Sequence, residues 1–321
     1  MTELLRGVIL DMDSIDPGSL DTSELQQSAA VDWQIYASTQ AEQTAERIAK
    51  AHLVLTNKVV LDAAAIAHAT HLEYVGVMAT GTNNVDHEAC CKRGITVRNV
   101  ADYGTASVAQ HTLLLMLTLA TSIGNYARAV KRGSWSKAEH FCLLDYPIVE
   151  LCGKTLLIVG YGTLGKAVAK LAEAFGMQVV IARRPGVDAA EYAQPRVSLD
   201  EGLQAADFVS LHCALSAQTE TLINAQRLNL MKPTAYFINT ARGGLIDEAA
   251  LLDALTSKQI AGAALDVLST EPPPSTHCLL QKTPANLIIT PHIAWAARES
   301  RQRLLDAVLQ HVSDYIAGRN A

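Results

Sequence analysis

The sequence predicts an α/β protein made of two doubly wound parallel-sheet domains. Three observations carry that reading: two successive series of short apolar strands, helical stretches between them, and a glycine-rich turn that opens the second series. The first series comprises residues 7–11, 31–37, 52–57, 72–79 and 95–100, with helical stretches at 41–50 and 62–69. The second comprises 155–160, 178–182, 208–213, 235–240, 262–267 and 287–292, with helical stretches such as 166–176 and 248–257. Near-continuous apolar runs such as TLLIVG belong to strands covered on both faces, as in parallel sheets. The segment 107–131 is expected as the longest helix, joining the two series, and a last helix over 297–320 has no strand after it.

Composition narrows the function. In 321 residues, 49% hydrophobic and 18% charged side chains are enough for a substantial core and argue against disorder. The net charge of −6, without a long run of Lys or Arg, argues against nucleic acid as the main partner. Cys90, Cys91, Cys142, Cys152, Cys213 and Cys278 show no metal-type spacing, so free thiols in a reducing compartment and no metal site are expected. The N-terminus, MTELLRGVILDMDS, lacks the apolar run of a signal peptide. The most apolar segment, SVAQHTLLLMLTLATSIG, is interrupted by Gln110, His111, Thr118 and Thr121 and falls short of the roughly 20 residues of a membrane span. A buried core helix and a soluble, cytoplasmic protein are expected.

The glycine-rich turn is G-x-G-x-x-G at Gly160, Gly162 and Gly165. It follows an apolar strand, opens an Ala-rich helix through Thr163 and Leu164, and leads to a second strand, the context of a dinucleotide-binding unit. One glycine permits the tight turn, one lets pyrophosphate approach the backbone, and one lets helix and strand pack closely. The helix N-terminus supplies unpaired N–H groups and the positive dipole end. About 20 residues further on, an acid that binds the ribose hydroxyls of NAD is usual. Here Arg183 and Arg184 stand there, with no Asp or Glu before Asp188. Arginine accommodates a 2′-phosphate, so NADP(H) is the expected preference, with NAD(H) possible.

Three residues follow three successive strands of the second series: Arg242 in INTARGGLID, Glu271 in LDVLSTEPPP and His292 in LIITPHIAW. Ligands of open parallel sheets bind beyond the carboxyl ends of the strands, so the three are candidates for one catalytic set. Their chemistry suits hydride transfer to a 2-oxo acid. His protonates the carbonyl oxygen, a carboxylate orients the imidazole, and a guanidinium holds the substrate carboxylate and polarises the carbonyl. After a strand of the first series, ATG at Ala79, Thr80 and Gly81 reads either as an ordinary loop or as backbone amides that hold a carboxylate.

With these residues in place, the chain resembles the D-isomer-specific 2-hydroxyacid dehydrogenases over nearly its whole length. The resemblance rests on GYGTLGKAVA, DFVSLHCAL, MKPTAYFINTARGGLIDEAAL, AGAALDVLSTEPPP and NLIITPHIAWA. ATGTNNVD, YGTASVAQHT and TARGGLIDE point to the branch acting on hydroxypyruvate or glyoxylate and forming D-glycerate or glycolate. The resemblance implies Arg242, Glu271 and His292 as catalytic residues, with Thr80, Gly81 and Arg242 binding substrate. It implies cofactor contacts from Thr105, Val108, Thr240 and Ala241, and from Asp266 on the nicotinamide side. It further implies one Rossmann-like dinucleotide-binding domain, residues 102–293, inserted into a flavodoxin-like substrate domain, residues 1–101 and 294–321, with a cleft between them. A homodimer through the region after Ser107, with the arm RGSWSKAEHFCLLDYP, completes the implied picture. Relatives acting on D-lactate or phosphoglycerate, and a dinucleotide-sensing corepressor-like protein, are the alternatives. Two departures stand out: Leu157 where many relatives carry Gly, and Ala214 where Pro is frequent.

Overall fold

The computed structural model describes residues 4–27, 29–184, 186–187 and 194–319. Its elements, in chain order, are β1 (Leu5–Ile9), α1 (Ser23–Gln27), β2 (Val31–Ile35), α2 (Ala41–Ile48), β3 (Leu53–Thr56), α3 (Ala63–His68), β4 (Tyr74–Val77), α4 (His87–Lys92) and β5 (Thr96–Asn99). There follow α5 (Thr105–Thr121), α6 (Ile123–Lys131), β6 (Thr155–Val159), α7 (Thr163–Ala174), β7 (Gln178–Ile181), α8 (Leu199–Ala205) and β8 (Phe208–Leu211). The chain ends with α9 (Ala225–Leu228), β9 (Tyr236–Asn239), α10 (Glu248–Thr256), β10 (Gly262–Leu265), α11 (Cys278–Gln281), β11 (Leu287–Ile289) and α12 (Arg298–Arg319). The chain divides into two compact units, residues 1–104 with 295–321 and residues 105–294.

The first unit holds a parallel five-stranded sheet in the order β2-β1-β3-β4-β5. The order reverses between β1 and β3. The ladder of β1 ends at Ile9, short of the 7–11 expected, because the Asp11 carboxylate leaves the strand to accept the amides of Asn57 (2.9 Å) and Lys58 (2.6 Å). α12 packs Leu304, Leu305, Val308 and Val312 against one face of this sheet, with Ile9, Leu53, Leu55 and Tyr74.

The second unit holds a parallel six-stranded sheet, β11-β10-β9-β8-β6-β7, reversing between β6 and β8. Successive side chains feed opposite faces. Leu157, Val209, Phe237 and Leu265 enter one core, while Leu156, Ile158, Phe208 and Ile238 meet Met116 of α5 and Val168 and Ala172 of α7 in the other. Each such large apolar side chain contributes about 1.5–3 kcal/mol on burial. Leu157 is accommodated because Gly202 faces it: a Cβ on Gly202 would come 2.5 Å from Leu157 Cδ1.

Two expectations about helices are corrected. The continuous helix over 107–131 breaks at Ser122, whose φ of 50° is left-handed, and α5 and α6 diverge by 62°. The returning chain causes the break: Val149 N–H takes the Ala120 carbonyl (2.8 Å), and Ser122 Oγ donates to the Pro147 carbonyl (2.8 Å). The longest helix is instead α12, with 22 residues against 17 in α5. Among the described residues no single helix is long and apolar enough to cross a membrane. α5 buries Val108, Thr112, Leu113, Leu115 and Met116, as a core helix does.

Candidate active site

The glycine turn joins β6 to α7 at the point where the strand order reverses, the usual ligand position in such sheets. Gly160 has φ +98°, and a Cβ there would lie 2.5 Å from the Cys213 backbone nitrogen. A Cβ on Gly165 would collide with the Gly160 carbonyl oxygen. The protein's own packing therefore demands both glycines. Gly162, the N-cap of α7, is different: a Cβ there meets nothing within 4 Å. Folding does not require glycine at this position, whereas a close-approaching pyrophosphate does. Thr163, Leu164 and Gly165 then present the first-turn N–H groups of α7. The turn thus fits a dinucleotide phosphate.

Arg183 and Arg184 follow β7, with Arg184 exposed. Arg183 N–H holds the Val197 carbonyl at 2.8 Å. Glu201 lies close by. Its carboxyl is held below the ordinary value first by hydrogen bonds from Ser198, with a smaller contribution from the Arg183 charge. Asp188, the first acid after the arginine pair, lies outside the described residues.

Two neighbours of the turn were not singled out from sequence. The Tyr161 ring, inside the glycine motif, has Arg196 Cζ 5.8 Å and Lys166 Nζ 5.9 Å from its centroid. His212, directly after β8, bonds Ser210 Oγ through Nε2 (2.9 Å), while its Nδ1 is buried with no hydrogen-bond partner. Burial pushes the His212 pKa down to about 4, so the ring is neutral. SLHCAL was visible as a strand end in the sequence, but nothing in it marked the histidine as buried.

The catalytic candidates follow three adjacent parallel strands, β9, β10 and β11. His292 Nδ1 and Glu271 Oε2 are 2.6 Å apart, and both side chains are about one-third exposed, at 32% and 34%. Glu271 Oε1 accepts the Leu268 N–H (2.9 Å), which fixes the carboxylate in its loop. Arg242 is exposed at the end of β9, and its Nη1 donates to the Ala241 carbonyl (2.7 Å). Asn239 braces this corner, donating from Nδ2 to the Arg242 carbonyl (2.8 Å) and accepting the Ala241 N–H (2.9 Å).

The segment carrying His292 is unusual. His292 has φ +53°, rare for a residue with a Cβ, so β11 ends at Ile289 rather than at 292. The Asp266 carboxylate organises the turn. Oδ1 accepts Thr290 Oγ1 (2.5 Å) and the Ile293 amide (3.0 Å), and Oδ2 accepts the Ala294 amide (2.8 Å). The Asp266 carbonyl accepts the His292 amide at 2.8 Å. Asp266 is 1% exposed. It holds this loop, because three donors of residues 290–294 converge on its carboxylate.

The remaining expected cofactor residues lie at the start of α5 and just after β9. Thr105 opens α5, and Val108 is 8% exposed on its first turns. Thr240 and Ala241 are each 8% exposed, and Thr240 Oγ1 is paired with Thr112 Oγ1 at 3.0 Å. In the first unit, Thr80 and Gly81 lie past the end of β4. Thr80 Oγ1 donates to the Val100 carbonyl (3.2 Å), and Asn99 Nδ2 donates to the Thr80 carbonyl (2.6 Å). Among the described residues neither the Thr80 nor the Gly81 amide donates to a protein acceptor.

A family model for the NAD-binding domain of D-isomer specific 2-hydroxyacid dehydrogenases matches residues 113–294. The chain is 40% identical over 309 residues to a glycerate dehydrogenase of Methylorubrum extorquens, covering 95% of this chain and 96% of that one. It is 38% identical over 313 residues to a hydroxypyruvate reductase of Blautia hydrogenotrophica, covering 97% of each. A crystal structure of a Thermus thermophilus protein superposes with a TM-score of 0.85 at 33% identity, over 98% of this chain and 97% of that one. A D-lactate dehydrogenase of Aquifex aeolicus, solved with NAD and lactic acid, gives 0.80 at 27% identity over 98% and 96%.

Proposed function

Because the chain belongs to the D-isomer specific 2-hydroxyacid dehydrogenases, we propose a specific role for each residue of its site. The protein is an oxidoreductase that reduces 2-oxo acids to D-2-hydroxy acids with a nicotinamide dinucleotide, and catalyses the reverse. The preferred acids are hydroxypyruvate and glyoxylate, giving D-glycerate and glycolate. The names of its relatives and the stretches ATGTNNVD and TARGGLIDE support that choice.

The 2.6 Å pairing of His292 with Glu271 carries the mechanism. Glu271 pairs with Nδ1 and fixes the ring's orientation, and Nε2 is the atom that serves the substrate. When bound, the reduced dinucleotide supplies the hydride that goes to C2 of the 2-oxo acid. His292 gives its Nε2 proton to the carbonyl oxygen, and in oxidation the same atom takes the hydroxyl proton. Arg242, exposed at its strand end, grips the substrate carboxylate and polarises the carbonyl. Thr80 and Gly81 bind substrate through their backbone amides.

The dinucleotide is held by Gly160, Gly162, Thr163, Leu164 and Gly165 at its phosphates, with Thr105, Val108, Thr240, Ala241 and Asp266 lining the rest. Arg183 and Arg184 make NADP(H) the favoured form. The protein works as a homodimer built through the second unit. Support comes from the apolar side chains exposed after α6, Phe141 at 90% and Leu144 at 80%, with Trp135 and Ile148 beside them in sequence. A cytoplasmic location suits the six free thiols.

Initial rates with hydroxypyruvate, glyoxylate, pyruvate and 2-oxoglutarate, each with NADH and NADPH, test this reading. Hydroxypyruvate or glyoxylate with NADPH is expected to be fastest. A preference for pyruvate, or no oxidation of either dinucleotide, contradicts it.

A further inference from the structure

We propose that His111, on α5, is a positioning residue for the proton donor: through Thr290 and Asp266 it fixes the backbone that carries His292. The proposal rests on His292 being that donor. His111 Nε2 lies 3.0 Å from Thr290 Oγ1 and 3.5 Å from Asp266 Oδ1. Its side chain is only 12% exposed, and that of Asp266 only 1%. Thr290 Oγ1 in turn donates to Asp266 Oδ1, and the Asp266 carboxylate receives the amides of Ile293 and Ala294. His292 is thus flanked on both sides by residues tied to one buried carboxylate, and its own amide is tied to the same residue's carbonyl. A left-handed conformation at a residue with a Cβ persists only where its surroundings over-determine it.

α5 is a suitable anchor for such a network. Its neighbouring residues Thr112, Leu113, Leu115 and Met116 are buried in the core beneath the sheet. Ser107 of the same helix donates from Oγ to the Ala294 carbonyl at 2.6 Å, so α5 grips the loop at both its beginning and its end. His111 is the one ionisable side chain along the 17 residues of α5, and a buried polar ring there needs its partner. That partner is the loop that aims His292.

The test compares His111→Phe, which removes the Nε2 bond, with His111→Gln, which can restore a donor or acceptor at nearly the same place. Thr290→Val and the double variant complete a cycle. With hydroxypyruvate and NADPH, His111→Phe and Thr290→Val are each expected to lower kcat about 10–100-fold, the effect of a slight misplacement of the donor. The Kd for NADPH, read by fluorescence titration, is expected to stay within about 3-fold, and the double variant to be no worse than the poorer single one. His111→Gln is expected to recover most of the turnover. Any one of three results overturns the proposal: wild-type kcat in His111→Phe, multiplying losses in the double variant, or a Gln variant as slow as Phe with intact folding by circular dichroism. If His111→Phe does not fold, Thr290→Val and His111→Gln still decide. His292→Gln, run alongside, separates the two readings: wild-type turnover there removes His292 as donor, whatever the His111 variants do.

Discussion

His292 Nδ1 lies 2.6 Å from Glu271 Oε2, although the two residues leave different strands and stand 21 positions apart in sequence. The imidazole is thereby held in one orientation with Nε2 directed away from the carboxylate. Replacing Glu271 by Ala removes the partner that holds the ring. Turnover is expected to fall about 100-fold or more, with dinucleotide affinity little changed. Stopped-flow single turnovers and a fluorescence titration check both halves; wild-type single-turnover rates would sink the pairing's role.

The three glycines of the turn separate folding from binding. Gly165→Ala must push a Cβ into the Gly160 carbonyl, so both Tm and dinucleotide affinity are expected to drop. Gly162→Ala adds a methyl where nothing lies within 4 Å. Its Tm is expected to stay within a few degrees of wild type while the Kd for dinucleotide rises about 10-fold or more. Thermal melts paired with titrations check this, and unchanged affinity in Gly162→Ala would place the phosphates elsewhere.

The proposed preference for NADP(H) rests on Arg183 and Arg184. On that proposal, replacing both by Ala removes charge-assisted hydrogen bonds to the 2′-phosphate, each typically contributing about 1.5–3 kcal/mol. The KM for NADPH is expected to rise at least about 10-fold and that for NADH to stay within about 2-fold. Equal changes for both dinucleotides would refute the assignment.

His212 makes stability depend on pH. Its folded pKa is about 4, below the ordinary 6.5, because burial disfavours the charged ring. Between these values the unfolded chain binds the extra proton, so stability falls as pH drops from 6.5 towards 4. The loss is at most about 3 kcal/mol. Urea titrations across this range, comparing wild type with His212→Asn, are expected to show a shallower decline in the variant. Parallel curves would mean that His212 is not buried and neutral.

Much of this architecture was readable in the sequence, for local reasons. Apolar runs such as TLLIVG and AYFINT mark strands covered on both faces, and the spacing of Gly160, Gly162 and Gly165 marks the phosphate turn. Arg242, Glu271 and His292 were visible because each follows a strand. What the sequence hid depends on partners far along the chain. α5 ends at Thr121 because the returning chain takes the Ala120 carbonyl through Val149 N–H and accepts the Ser122 hydroxyl on the Pro147 carbonyl, which no local propensity records. The hold of the Asp266 carboxylate on the loop after β11 joins residues 24 to 28 positions apart. His111 looked like an interruption in an apolar helix, and its partner Thr290 is 179 positions away.

The most direct measurement is the rate of NADPH oxidation by His292→Gln with saturating hydroxypyruvate at neutral pH, with the Kd for NADPH determined on the same sample. With His292 as the proton donor, turnover falls about 100- to 10,000-fold while NADPH binds within about 3-fold of wild type. Turnover equal to wild type would contradict the account.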